Sequence, residues 1–525
     1  MTVIIVMAVA LLLALVLGVQ LGSGDYQSAS IWLVVGLVIV YVTHLHHYTW
    51  QIVIFSVFLG FTYRPAGFAM DAQHVGLALG GLLALLYLMA PITYRPEQYL
   101  TGSGIKGMKI CLALWVAFGA VHMLWNHLDP YLPSQYAFKN ALKTYVESFG
   151  GPAIILWFMI KPSGFRVGRN WAKTIVIMFF FAMIINIGIQ IFNIATGYGV
   201  LDPYQTVPGL KEFGPNLMVP ILNASPGQHS LRYLSPIAVA LGLIFLTSPT
   251  WFSAQGRWTK LIVIGLVLLG LVGAALSAGR AVPLLCGFYA FVIALLRRKT
   301  MLIMTVGIAG MFFLVLVNVF STAINESAPY FVQRSLQYFM LEKGGAAATI
   351  ESSTDWRDEL ANRAYDEWRS DERIFFLGRA TYSFGETDVA LYNQLGHYEA
   401  IMAISLRRGN AHRLTADCLI QYGLVGLILF YIMLLSIMRF LIKLYRTQKN
   451  DPSEFRDLTV VLIVFFGVSI LMTFVVSSWV NVTNVWLLLL LIIGYSQELR
   501  AREMSEATEK IRTRGVPQHA GAIRI

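Results

Sequence analysis

The sequence predicts an all-α polytopic membrane protein of about 12–14 transmembrane helices, with one large extramembrane loop between the fourth-last and third-last helices. Three observations predict it. Of 525 residues, 57% are hydrophobic and mean hydropathy is +0.64, while 13% are charged, against about 25% in soluble domains. Apolar runs approaching the roughly 20 residues that cross a bilayer recur from end to end. Only the segment 322–413 is both long and polar, and it holds 13 of the 28 acidic residues.

The candidate spans are 3–21, 29–45, 50–63, 74–92, 108–125, 146–161, 173–195, 231–248, 259–277, 281–296, 301–321, 414–438, 457–477 and 481–497. The short runs 50–63 and 146–161 suit tilted or re-entrant pieces. Four regions follow: an N-terminal helical region (1–321), the large loop (322–413), three C-terminal spans (414–497) and a polar tail (498–525). The tail has the composition of a disordered extension.

Charge fixes the sides. With the N-terminus inside, the inner loops hold Arg95, Lys106, Lys109, Lys161, Arg166, Arg169, Lys173, Arg257, Lys260, Arg297, Arg298 and Lys299. Arg439, Lys443, Arg446, Lys449, Arg456 and six tail residues bring that to 23 of the 39 basic residues. The short outer loops hold only Arg64, Lys139, Lys143, Lys211, Arg232 and Arg280. This asymmetry puts both termini in the cytoplasm and the 322–413 loop outside. The net charge of +11 is spread through short loops rather than gathered on a soluble patch, which argues against nucleic acid. Cys111, Cys286 and Cys418 lie in apolar runs without CxxC spacing, so neither a disulfide framework nor a zinc site is indicated.

Cations on the outer side run against the orientation bias and are candidates for an anion site. Arg280 sits in a tight turn, Ser277-Ala278-Gly279-Arg280, between two apolar runs. A lipid-linked diphosphate would suit a guanidinium there; snorkelling to the interface is the alternative. Arg232 follows a loop from Gly197 to Leu231 that is rich in Pro and Gly. Lys139 and Lys143 read as interfacial anchors. Within the large loop, a helix is expected to start near Thr354, capped by Ser353 or Thr354. Its Trp356, Leu360, Ala364 and Trp368 form an amphipathic stripe suited to lying on the bilayer. Arg363 shares that face, either as a headgroup or diphosphate ligand or as an ordinary interfacial residue.

His412 begins the following span, where a helix N-terminus disfavours imidazolium and keeps the ring able to accept a proton. The competing reading is a simple cap. On a straight helix, Gly423 falls eleven residues on and about 16 Å deeper, and Gly423 and Gly426 permit close approach of another helix or a lipid tail. Arg407, Arg408 and Arg413 rim His412. His44, His46 and His47 lack acidic partners for a metal site.

Together these residues resemble the O-antigen ligase and O-antigen polymerase superfamily of bacterial envelope glycosyltransferases. Ser277-Ala-Gly-Arg280 is similar to the family's Ser-x-Ser-Arg turn, with Gly279 at the second Ser. Arg363-Ala-Tyr-Asp-Glu-Trp368 and Phe376-Leu377-Gly378 are similar to its Arg-x4-Trp and Gly pattern in the large periplasmic loop. Ala411-His412 with Gly423-Leu-Val-Gly426 resembles its His-Asn-x9-Gly-x-x-Gly element, with Arg413 replacing Asn. The resemblance spans roughly 270–440.

It implies a glycan donor on undecaprenyl diphosphate in the inner membrane. A hydroxyl acceptor, on a lipopolysaccharide core lipid or another glycan, would attack with inversion and without metal or cofactor. His412 would be the general base, and Arg280 with Arg363 or Arg232 would hold the diphosphate. Gly378, Gly423 and Gly426 would be packing positions. Ligase and exopolysaccharide or O-antigen polymerase differ in the acceptor. A reading from another class, a transporter or flippase of lipid-linked oligosaccharide, predicts ionisable residues along several spans. The span interiors are nearly free of them, Asp417 being the clearest exception.

Overall fold

The computed structural model describes residues 62–63, 70–71, 103–127, 145–160, 171–195, 225–277, 279, 281–328, 330–342, 346–379, 397–407, 409, 411, 413–447 and 454–473. A two-residue ribbon pairs β1 (Thr62–Tyr63) with β2 (Met70–Asp71). The helices are α1 (Ser103–His127), α2 (Gly151–Ile160), α3 (Trp171–Ala195), α4 (Ser225–Leu246), α5 (Pro249–Ala254) and α6 (Arg257–Leu276). Then come α7 (Ala281–Leu296), α8 (Thr300–Val319), α9 (Ser321–Ser327), α10 (Tyr330–Leu336), α11 (Ala346–Ser370) and α12 (Glu372–Leu377). The chain continues with α13 (His397–Arg407), α14 (Leu414–Thr447) and α15 (Glu454–Met472).

Four described stretches are long and apolar enough to cross a membrane: Lys106–Asn126, Ala172–Ile191, Arg257–Leu276 and Leu414–Arg446. A fifth is the pair Ile303–Val319 and Ser321–Ser327, bent by 61°. The protein is thus helical and multi-pass in character. Eight of the spans expected from sequence have a described helix within about six residues of their bounds, with 281–296 matched by α7 at both ends, while 414–438 falls on α14, which is broken at Gly423 and runs on to Thr447. The expected spans 3–21, 29–45, 74–92 and 481–497 lie outside the described residues, and of 50–63 only Thr62–Tyr63 is described, as strand β1 rather than helix.

The chain divides into two compact units, one of residues 1–86 and 175–356, the other of 87–174 and 357–525. The polar segment 322–413 contributes to both.

In the first unit α6 packs along α4 and α7 through small residues. A Cβ added at Gly270 would lie 2.7 Å from the Val239 side chain and 3.1 Å from the Ser235 carbonyl oxygen, and one at Gly273 would lie 2.6 Å from Ser235 Oγ. On the facing helix, a Cβ on Gly242 would meet Val267 at 2.5 Å. Small-residue contacts of this kind let helix backbones approach where lipid supplies no hydrophobic drive. Past the bend after α8, α10 returns to dock on α6. Asn318 fixes this return. Its amide donates to the Leu314 and Phe339 carbonyls, at 2.8 Å each, and accepts from the Leu341 N–H at 2.7 Å.

In the second unit α1 packs against α14, with Trp115 at the centre. Its ring lies 4.6 Å from Phe149, 5.5 Å from Phe430 and 5.8 Å, edge-on, from Tyr422. A wide π turn, Val146–Gly150, leads into α2 and offers the Ser148 carbonyl to Trp115 and its hydroxyl to Tyr422.

Three expectations are corrected. First, α11 begins at Ala346 rather than near Thr354; the alanines before it extend the helix at no side-chain cost, and a Ser or Thr marks a start only weakly. Its stripe is not laid on the bilayer: Leu360 and Ala364 are buried within the protein, and Trp368 stacks on Phe375 at 4.6 Å while its indole N–H donates to the Phe375 carbonyl. Periodicity identifies a face to be covered, not what covers it. Second, α4 starts at Ser225, so Pro226-Gly227-Gln228-His229 forms its first turn rather than a loop, Pro being well tolerated there.

Third, α14 is not straight. Gly423 has φ +65 and ψ −169, which breaks the helix. On a straight helix Thr415 and Tyr431 would be about 24 Å apart, yet their hydroxyls lie 3.2 Å apart and both bond Thr473. The residues before Gly423 are therefore a folded-back arm, 414–422, and only 424–447 continues as a span.

The break is held by a backbone contact. A Cβ at Gly423 would fall 2.4 Å from the Phe376 carbonyl and 2.5 Å from the Gly378 nitrogen, and one at Gly378 (φ +73) would fall 2.4 Å from Gln421 and Tyr422 backbone atoms. Gly423→Ala should lower stability by at least about 2 kcal/mol, since the left-handed backbone alone costs about 1–2 kcal/mol and the clash adds to it. Melting of the detergent-solubilised protein tests this against Gly287→Ala, where the added methyl meets nothing. Equal stability of the two variants would refute the packing described.

Candidate functional site

The polar turn from Gly409 to Arg413 enters the arm of α14, and every described residue in it is held by a named partner. Gly409, at φ +65, lies on the Gln421 side chain. Gln421 Nε2 donates to the Gly409 carbonyl at 2.6 Å. The buried Asp417 carboxylate accepts from the Ala411 N–H, and as a first-turn acid it also sits well with the helix dipole. Arg413 pairs with Asp358 of α11.

Around this turn Arg363 of α11 and Arg379, two residues past α12, each have acceptors. Arg379 pairs with Glu367 and donates to the Leu406 carbonyl at the end of α13, while its own N–H donates to the Ile420 carbonyl at 2.9 Å. Arg363 forms a fork with Glu399, its Nη1 and Nη2 at 2.7 and 3.0 Å from the two carboxylate oxygens, and also bonds Glu359 at 2.6 Å. The hydrogen bond to Glu399, followed by that to Glu359, raises the Arg363 pKa above its ordinary value, and the Arg363 hydrogen bond holds Glu399 below the usual carboxylate range.

The residues singled out from sequence divide as follows. Gly378 and Gly423 touch, and Gly426 lies one turn on, close to Phe118. Arg363 joins α11 to α13 and is engaged by two carboxylates. In the other unit Arg232 Nε donates to the Ser277 carbonyl at 3.1 Å, and its stem lies 3.0 Å from where a Gly279 Cβ would be. Ser277 Oγ bonds the Ala274 carbonyl and accepts from the Gly279 N–H. Arg232 thus lies beside Ser277 and Gly279. His412, Arg280 and Arg408 themselves lie outside the described residues, as do Lys139, Lys143, His44, His46 and His47. Of the cysteines, Cys286 and Cys418 are buried and Cys111 is half-buried, all as free thiols.

Sequence reasoning passed over His122. It is buried on α1, with Nδ1 2.7 Å from the Tyr145 hydroxyl and Nε2 3.0 Å from the Leu377 carbonyl. Asn126, one turn later, donates to the His122 carbonyl and accepts from Arg373 at 3.1 Å. The available signal was a polar pair four residues apart on one face of an apolar run.

The Arg363–Glu399 fork yields a pH prediction. Because the folded-state pKa of Glu399 is depressed, the contribution is complete above the ordinary carboxylate range and is lost as pH falls through the depressed value. Spin labels on α11 and α13 should keep a constant separation from neutral pH to about pH 5 and broaden only below the ordinary Glu value of about 4.3; molar salt should broaden it at any pH. A separation that already changes near pH 6 would contradict this pairing. Neither models of known protein families nor curated proteins match the sequence.

Proposed function

We propose that this protein is an integral-membrane glycosyltransferase of the O-antigen ligase type. It moves a glycan from undecaprenyl diphosphate to an acceptor hydroxyl at the periplasmic face of the bacterial inner membrane. In this reading the chain has about 12–14 spans, both termini are cytoplasmic, and the 322–413 segment is periplasmic. The observation that carries it is the held turn: both described neighbours of His412, Ala411 and Arg413, are tied to acidic side chains, beside a set of guanidiniums on α11–α13.

The chemistry asked of these residues is modest. The acceptor oxygen bonds to the anomeric carbon as the carbon–oxygen bond to the diphosphate breaks, with inversion. His412 takes the acceptor proton, and the diphosphate departs with the bonding pair. Arg280, with Arg232, neutralises the departing charge, and Arg363 can exchange the Glu399 carboxylate for a phosphate of similar fork geometry. Diphosphate is a good leaving group, so positioning and charge suffice without a strong acid or a metal.

His412→Ala and Arg280→Ala should each abolish transfer while the protein still inserts. A complete polymer left on its lipid carrier in these variants marks a ligase, and acceptor capped with single units marks a polymerase. Full activity in an inserted His412→Ala protein would remove the base; glycan trapped on the inner leaflet would favour a flippase.

A further inference from the structure

His122 is an unusual residue to bury in an apolar helix, and its two ring nitrogens are both engaged across the second unit. A carbonyl can only accept, so the bond to Leu377 requires the proton on Nε2. Nδ1 is then left as an acceptor, and the Tyr145 hydroxyl, 2.7 Å away, donates to it. One neutral tautomer satisfies both partners. The ring is further enclosed by Phe118 at 5.6 Å and by Tyr422, edge-on, at 5.3 Å.

What this bond holds matters more than its strength. Leu377 ends α12, and its successor Gly378 lies against the broken backbone of α14. Arg379, the next residue, donates its N–H to Ile420 and its guanidinium to Leu406. The other end of α12 is held through Arg373 to Asn126, one turn beyond His122. Both ends of α12 are therefore fastened to one turn of α1. The arm beyond the α12 contact carries Asp417 and Gln421, the two side chains that tie Ala411 and Gly409.

We propose that His122 is a positioning residue: its Nε2–H to Leu377 latches α12 against the break in α14 and so fixes Gly409 and Ala411, which precede His412 in the chain. This rests on the functional reading only for why the turn matters; the latch itself is the hydrogen bond from His122 to Leu377.

Two amide substitutions separate the roles of the ring nitrogens, because a Gln amide reaches where Nε2 lies and an Asn amide only where Nδ1 lies. In nanodiscs of phosphatidylethanolamine and phosphatidylglycerol, amide hydrogen exchange of Arg379 and Ala411 should speed up about tenfold in His122→Asn, the weight of one buried hydrogen bond. His122→Gln should exchange like the unaltered protein, and Tyr145→Phe should show little change at either amide. Transfer should follow the same order, with the loss in kcat and the donor KM unchanged. Equal exchange at both amides in His122→Asn and His122→Gln would overturn the latch. Altered exchange with unaltered transfer would keep the latch but separate it from catalysis. If His412→Ala proves fully active, the functional reading fails while the exchange result stands.

Discussion

The contact between Gly378 and Gly423 is the constraint from which the second unit is built. A left-handed residue inside an apolar helix interrupts the run of i→i−4 bonds, and hydrocarbon offers no water to the carbonyls left over. Burying such a group unpaired costs several kcal/mol in an apolar medium. The protein meets that cost by bringing a second backbone to the break. Arg379 gives its N–H to Ile420, which is possible only because two glycines let the chains touch where any Cβ would intrude. Thr415, Tyr431 and Thr473 then close the angle from the other side.

Charge follows the same rule of satisfied partners. Arg363, Arg379 and Arg413 face Glu359, Glu399, Glu367 and Asp358, and Arg373 faces an amide oxygen. Each surface pair contributes little by itself. Their effect is to hold long, flexible side chains in fixed orientation. Glu399, exposed, is held by Arg363 in a two-bond fork.

Hydropathy made the helices legible, and most boundaries lie within a few residues of expectation because the length of an apolar run is itself the physical requirement. The glycines were legible as places of close approach but not as a break: Gly423 and Gly426 read equally well on a straight helix, and a positive φ leaves no mark in composition. The stripe Trp356–Trp368 was legible as a covered face, yet its cover is protein. His122 escaped because one polar residue hardly lowers the hydropathy of α1, and its meaning depends on Leu377, 255 residues away. Arg379 escaped for a similar reason, since two of its three tasks are backbone contacts to Ile420 and Leu406.

The short arm 414–422 shows why such distant residues bear on one turn. A nine-residue helix is marginal in isolation, because nucleation consumes most of what a few hydrogen bonds return. It persists here because nearly every side chain on it is buried, Thr415 alone being half-exposed, and because both its ends are held: Asp417 at its start, and Gly423 against α12 at its finish. An element with so little stability of its own takes its orientation from its neighbours. The arm therefore follows α12, which is fastened to α1, and it carries the two side chains that bond Gly409 and Ala411.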